Sequence, residues 1–333
     1  MGTLRVINPG MLTTVQDLGR PGFASMGVPT GGAADSLSLR IANRLVGNAN
    51  NAAGLEMTLL GGSFEFENDA LIAIAGGEAR VEIASKSGAL RNEQMCTRIQ
   101  VRSGDTVRVG PIVRGVRTYL SIAGGIDVPQ VLRSASTLLS AKFGGLQGRA
   151  LQAGDQISWR DAAMNETPNP QASFKIRASH LETRASELSS QLLGRSVLRA
   201  TDGPHLDEFD AASREAFWNG AFRVSSRSDR VGVRLESVHN HIANASSGGR
   251  MPSMGMMCGA VQVPPGGAPI ILMADHPTTG GYPVIACVAS VDLPRLGQLR
   301  PGETIRFARV TREDALRAFQ EQKSQLAAME RDA

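Results

Sequence analysis

Residues 70–84 read ALIAIAGGEARVEIA, and two patterns meet in them. Ala70–Gly76 is an unbroken apolar run of the length of a strand covered on both faces. Ala79–Ala84 alternates apolar and polar residues, as a strand with one wet face does, because successive side chains point to opposite sides. The period of two recurs in SFEFE (63–67), TRIQVR (97–102) and TVRVG (106–110), and the unbroken apolar type in APIILMA (268–274) and PVIACVASV (283–291). These runs predict a mainly β protein with few helices. The 37 glycines agree with it, since many short strands need many tight turns.

One turn type launches a strand three times: SGDTVRV at 103, AGDQISW at 153 and PGETIRF at 301. In each, Gly supplies the positive-φ position and the acid after it can accept from turn amides. These turns are either three ordinary hairpins or, for the first and last, parts of two similar β-barrel modules.

Helical spacing is rarer. In DSLSLRIANRLVGN (35–48), Asp35 is placed to cap, Leu37, Ile41 and Leu45 share a face, and Gly47 ends the helix. DEFDAASREAFWNG is expected to open at Asp207 and close at Gly220. The third helix starts at Thr311, where Thr311 and Asp314 resemble a capping box. Residues 161–174, DAAMNETPNPQASF, carry little apolar surface and read as a linker, which divides the chain into modules at 1–165 and 172–333.

Composition excludes several classes. Lys and Arg exceed Asp and Glu by 35 − 31 = 4 without forming a basic stripe, and aromatics are 4%, so nucleic acid is not an expected partner. Three cysteines without CxxC spacing do not make a disulfide framework or a zinc site, so no metal is expected. The opening MGTLRVINPG has no apolar core of signal-peptide length, and no run of eighteen apolar residues occurs. A cytoplasmic location without membrane contact is the expectation. P-loop, GxSxG and HExxH motifs are absent.

The candidate site residues lie in three stretches. In LMADHPTTGGYPVIA (272–286), apolar runs fix both ends. Asp275, His276, Thr278 and Thr279 therefore project from rigid elements, and Gly280 and Gly281 would let a ligand approach the backbone; the alternative is a tight β-turn in which Asp275 bonds local amides. The glycine-rich run 13–36 leads into the capped helix and carries Asp17 and Arg20; it is either a purely structural loop or an anion site with Arg20 as its charged fork. SSRSDRVGVRLES (225–237) sets Arg227, Arg230 and Arg234 around Asp229. It is either a surface ion-pair ladder or a phosphate or carboxylate clamp, with Arg230 and Arg234 expected on one face. His239 and His241 share a strand face without a third ligand in view, and Cys258, with no charged neighbour, reads as an inert thiol.

Seven stretches in order, TVQDLGRPGF, GVPTGGAAD, ANRLVGN, RTYLSIAGGIDVP, SDRVGVRL, GAVQVPPGGAPIILMADHPTTGGYPVIACV and DLPRLGQLRPGETIRF, together resemble the KipA-like, allophanate hydrolase subunit 2 family. They run from about Thr13 to Phe307. That family includes the carboxyltransferase part of urea carboxylase and the C component of bacterial 5-oxoprolinase. The resemblance implies two cyclophilin-like β-barrel modules. As the favoured activity it implies the C component of an ATP-dependent 5-oxoprolinase, working with a KipI-like B component and a further A component. ATP and Mg²⁺ would then act in the complex, with Arg20 and Arg230 spreading phosphoryl charge and Asp17, Gly280 and Gly281 helping to hold substrate. Asp275, His276 and Thr279 would orient the lactam or move its proton. The alternatives are a carboxyltransferase for urea or a similar amide, and a KipA-type regulator that binds a kinase inhibitor and catalyses nothing. His276-Pro277 stands where many relatives carry Arg-Gln, and Val231 and Val233 where Met and Tyr are common. AMNE at Ala163 has no lysine to carry biotin, so carboxybiotin would have to arrive on another polypeptide.

Overall fold

Strands form where the alternation places them. A computed structural model of the chain describes residues 1–160, 172–238, 242 and 251–332. The chain divides into two compact units, one of Met1–Arg20, Gly31–Leu193 and Gln325–Ala333, the other of Pro21–Thr30 and Gly194–Ser324.

The first unit holds β1 (Gly2–Asn8), β2 (Leu12–Gln16), α1 (Ser36–Leu45), β3 (Gly54–Thr58), β4 (Ser63–Phe66), β5 (Ala70–Ala84), β6 (Leu90–Glu93), β7 (Arg98–Val101), β8 (Thr106–Ile122), β9 (Gln156–Trp159) and α2 (Ala172–Leu193). Its nine strands make one curled sheet in the order β2-β3-β8-β4-β1-β9, with β5 paired to β6, β7 and β8. The two patterns in 70–84 have separate causes. Ile72 and Ile74 point into the core with Leu4, Phe64 and Trp159, while Ala73 and Ala75 face a second apolar layer with Leu37, Ile41 and Leu45 of α1. Covered on both faces, that half of β5 cannot alternate. Beyond Gly76 the strand bulges three times against β8, and alternation returns.

Helix α2 is not among the helices expected from the sequence. Leu181, Ala185, Leu188 and Leu192 form its buried stripe, and they pack in the layer that holds α1. The chain therefore passes from the first unit to the second at Leu193–Gly194, one helix beyond the segment read as a linker. Residues 161–171 of that segment lie outside the described residues.

The second unit contains β10 (Val197–Asp202), α3 (Ala211–Asn219), β11 (Phe222–Val224), β12 (Gly232–Ser237), β13 (Met254–Gly255), β14 (Ala260–Gln262), β15 (Ile270–Leu272), β16 (Thr279–Gly280), β17 (Val284–Val288), α4 (Leu293–Leu296), β18 (Thr304–Arg309) and most of α5 (Arg312–Asp332). Seven strands close a barrel in the order β10-β17-β14-β15-β12-β11-β18, sealed by the parallel pair β10–β18. Phe217, Phe222 and Phe307 meet with ring centroids 4.7–5.7 Å apart. Burying each phenyl contributes about 1.5–3 kcal/mol. The protein is thus mainly β, with one closed barrel module and one open, curled module. Among the described residues no helix is long and apolar enough to cross a membrane.

Local expectations fare differently. All three Gly-acid turns form: Gly104, Gly154 and Gly302 have φ near +88°. In each, the acid accepts from the amide three residues back, Asp105 from Arg102, Asp155 from Gln152 and Glu303 from Arg300. Asp35 caps α1 by accepting from the Leu37 and Ser38 amides, and Thr311 with Asp314 caps α5. Helix α3, however, starts later than Asp207. Asp210 is its cap, accepting from the Ser213 amide, because residues 206–208 close a separate 3-10 turn.

Candidate functional site

Strands β12 and β15 run antiparallel with Gly232 opposite Leu272, and the ladder continues past their ends. Met273 N–H donates to the Val231 carbonyl, and Asp275 N–H to that of Arg230, both at 2.9 Å. This register sets the Arg230 and Asp275 side chains against each other. Arg230 Nε donates to Asp275 Oδ2 at 2.8 Å and Nη2 to Oδ1 at 3.0 Å, a forked pair between two buried groups. A fork satisfies both carboxylate oxygens at once and fixes the carboxylate plane.

The same turn places His276. Its backbone N–H closes on the Met273 carbonyl, and its Nδ1 lies 2.8 Å from the Pro277 carbonyl. A carbonyl only accepts, so Nδ1 carries the hydrogen and Nε2 of the neutral ring keeps a lone pair. Beyond it Thr279 is exposed, on a two-residue ribbon that pairs β16 with β13. The neighbouring glycines serve packing rather than an open approach. A Cβ on Gly280 would stand 2.7 Å from Gln262 Nε2, and one on Gly281 would stand 3.0 Å from the Met251 carbonyl. Cys258 completes the surroundings. Burial pushes its thiol up to about 11, and the charge on Asp275 acts in the same direction.

The other anion candidates are placed elsewhere. Asp17, in the first unit, accepts from the Gly19 amide at 2.8 Å, the Ala135 amide at 2.7 Å, the Ser134 hydroxyl at 2.6 Å and the Ser136 hydroxyl. Arg20 is 1% exposed, donates to the Ser136 and Val131 carbonyls and lies over the Phe143 ring at 4.9 Å. Both residues strap the 131–145 loop down instead of facing a ligand. Arg234 also departs from expectation. Asp229 accepts from the Val231 and Gly232 amides, and this turn sends Arg230 inward and leaves Arg234 exposed on the outside of β12. His239 and His241 lie outside the described residues.

A carboxyltransferase domain model, subdomains A and B, matches residues 26–309. The chain is 40% identical to the C component of Escherichia coli 5-oxoprolinase, over 96% of this chain and 95% of that protein. It is 36% identical to the Haemophilus influenzae protein of the same name, over 91% and 89%. The chain belongs to the carboxyltransferase domain family. The crystal structure of Kluyveromyces lactis urea amidolyase superposes with a TM-score of 0.82 at 31% identity, over 98% of this chain and 20% of that one. The superposed region is thus one fifth of that polypeptide and nearly all of this chain.

Two features of this carboxyltransferase domain escape a reading of the sequence. One is a cavity of about 1220 Å³ in the second unit, lined by Thr201, Asp202, Cys287, Arg309 and Thr311 among others; Arg230, Asp275 and His276 are not in its lining. The other is a polar network inside the first unit. Glu56, 1% exposed, accepts from the Tyr119 hydroxyl at 2.7 Å and the Ala34 amide at 2.9 Å, and Tyr119 accepts from the Asp35 amide. Burial and the Glu56 charge hold the Tyr119 hydroxyl well above its ordinary range. A glutamate in the otherwise buried strand GLEMT is the available signal. The network positions the start of α1.

Proposed function

We propose that the chain is the C component of an ATP-dependent 5-oxoprolinase. With a KipI-like B component and an A component it would convert 5-oxo-L-proline, ATP and water to L-glutamate, ADP and phosphate. One observation carries this reading: the match to the E. coli protein covers 96% of this chain and 95% of that protein, so the likeness is not to one domain of a larger polypeptide. Activity would require the complex.

Amide resonance makes the lactam a poor electrophile, and a phosphate on its oxygen would open the ring carbon to water. Arg20 and Asp17 do not fit a nucleotide, because both are buried and already bonded within the first unit. We therefore assign ATP and Mg²⁺ to a partner polypeptide and derive no phosphoryl step on this chain. Its own contribution would come from the second unit. The Arg230–Asp275 fork fixes the turn, His276 offers Nε2 to take a proton from the attacking water, and the Thr279 hydroxyl orients the ring.

The family match favours one further reading, a carboxyltransferase for urea or a related amide supplied with carboxybiotin from another polypeptide. Mixing the chain with the other two components and following glutamate and ADP from 5-oxoproline separates them. Stoichiometric release of both products supports the proposal. An inert complex, or one that instead carboxylates urea with biotin carboxylase present, overturns it. Tight partner binding without either turnover would favour a KipA-type regulator.

A further inference from the structure

The arginine-rich stretch 225–237 is only partly accounted for by the site above. Arg230 turns in to Asp275; Arg227 and Arg234 stay exposed and line one hollow on the outside of the barrel. Arg227 comes from the turn before β12, and Arg234 from the strand itself. The facing wall is the Pro264–Ile270 turn that joins β14 to β15. The hollow encloses about 190 Å³.

Its charges are not neutralised internally. Among the described residues neither Arg227 nor Arg234 pairs with a carboxylate, and the acid between them, Asp229, is engaged with two backbone amides. Glu236 also lines the hollow. It stands opposite Arg223 in the β11–β12 register, yet the two make no ion pair. Among the described residues the charged lining is therefore two guanidiniums and one carboxylate. Its complement is a molecule with two carboxylates and one ammonium.

We propose that this hollow binds an acidic α-amino acid, each guanidinium forking one carboxylate and Glu236 taking the ammonium. A space of about 190 Å³ admits several waters and so has room for a small amino acid. A lactam acid such as 5-oxoproline presents one carboxylate and no cation, and it matches the lining poorly. The inference deepens the reading above and rests on it in one respect: L-glutamate is the product of that reaction, which makes the hollow a product-sensing site on the outer wall of the second unit. Neither Arg230, Asp275 nor His276 lines it.

Calorimetric titration of the full-length chain with L-glutamate, glutarate, 5-oxoproline and inorganic phosphate tests this without any turnover, so its outcome is independent of whether the complex is an oxoprolinase. The expected result is saturable glutamate binding, weakened at least tenfold by Arg234→Gln or Arg227→Gln. Glu236→Gln should weaken glutamate and leave glutarate, which lacks the ammonium, unchanged or tighter. Melting temperatures check that the variants fold, and Arg227→Lys keeps the charge while losing the fork should a glutamine variant fail. No saturable binding up to about 10 mM overturns the proposal. So does equal binding of glutarate, phosphate and glutamate that Glu236→Gln does not change.

Discussion

Arg230 and Asp275 lie 45 residues apart in the chain and meet in one forked ion pair, at 6% and 9% exposure. The pairing of β12 with β15 brings their backbones together, and the fork then ties the turn that carries His276 to the barrel wall. A buried pair of this kind is costly to break from one side, because the group left behind loses the fork that offset its desolvation.

Asp275→Leu is therefore expected to destabilise the chain by about 3–5 kcal/mol, while the double variant Arg230→Met, Asp275→Leu recovers most of that loss. Urea unfolding of the three proteins measures both numbers. A near-neutral single variant would show that the pair is solvated and does not organise the turn.

The strap formed by Asp17 and Arg20 depends on the close approach of 144 to 136. Gly144 has φ +72°, and a Cβ there would lie 2.0 Å from the Ser136 carbonyl. Gly144→Ala should cost about 2 kcal/mol or more, from left-handed strain and a backbone clash. Gly255→Ala, where a Cβ meets nothing within 4 Å, should stay within about 0.5 kcal/mol. Thermal melts of the two variants decide it, and equal melting temperatures would refute the strap.

Burial pushes the Cys96 thiol, like that of Cys258, up to about 11 from an ordinary 9.0. Below pH 9.0 folded and unfolded chains both keep these protons, and the full stability is present. Between 9.0 and 11 the unfolded chain releases them first, so stability falls as pH rises, by about 2–3 kcal/mol for the buried Cys96 and by less for the half-buried Cys258. Tyr119, shifted in the same direction, contributes with the same sign at higher pH. Urea midpoints between about pH 8 and 10.5 should drop less steeply in Cys96→Ala and Cys258→Ala than in the parent. Identical slopes would argue against the burial of both groups.

Much of the fold is legible in the sequence because its signals are local. The Gly-acid turns, the Asp35 cap and the Thr311–Asp314 box each depend on residues within three positions, and each forms as read. Helix α2 is legible too, through the spacing of Leu181, Ala185, Leu188 and Leu192, but the polar segment before it masks that stripe. At the site, Arg230 and Asp275 stand out as residues but their bond does not, since nothing in either stretch encodes a strand register across 45 residues. Arg20 and Asp17 read as ligand groups for the same reason. What buries them is the 131–145 loop, more than a hundred positions along the chain. The facing of Arg234 escapes because one Asp229 turn resets the alternation just before β12.

If the turn held by Arg230 and Asp275 works on 5-oxoproline within a three-component complex, its loss must show in turnover. The reconstituted complex is assayed for 5-oxoproline-dependent release of glutamate and ADP, with the parent chain, Asp275→Asn and His276→Gln compared at matched folded fractions. Turnover by the parent is expected, with a loss of at least tenfold, about 1.4 kcal/mol, in kcat for each variant. An inert parent complex, or near-normal rates in both variants, would rule this role out.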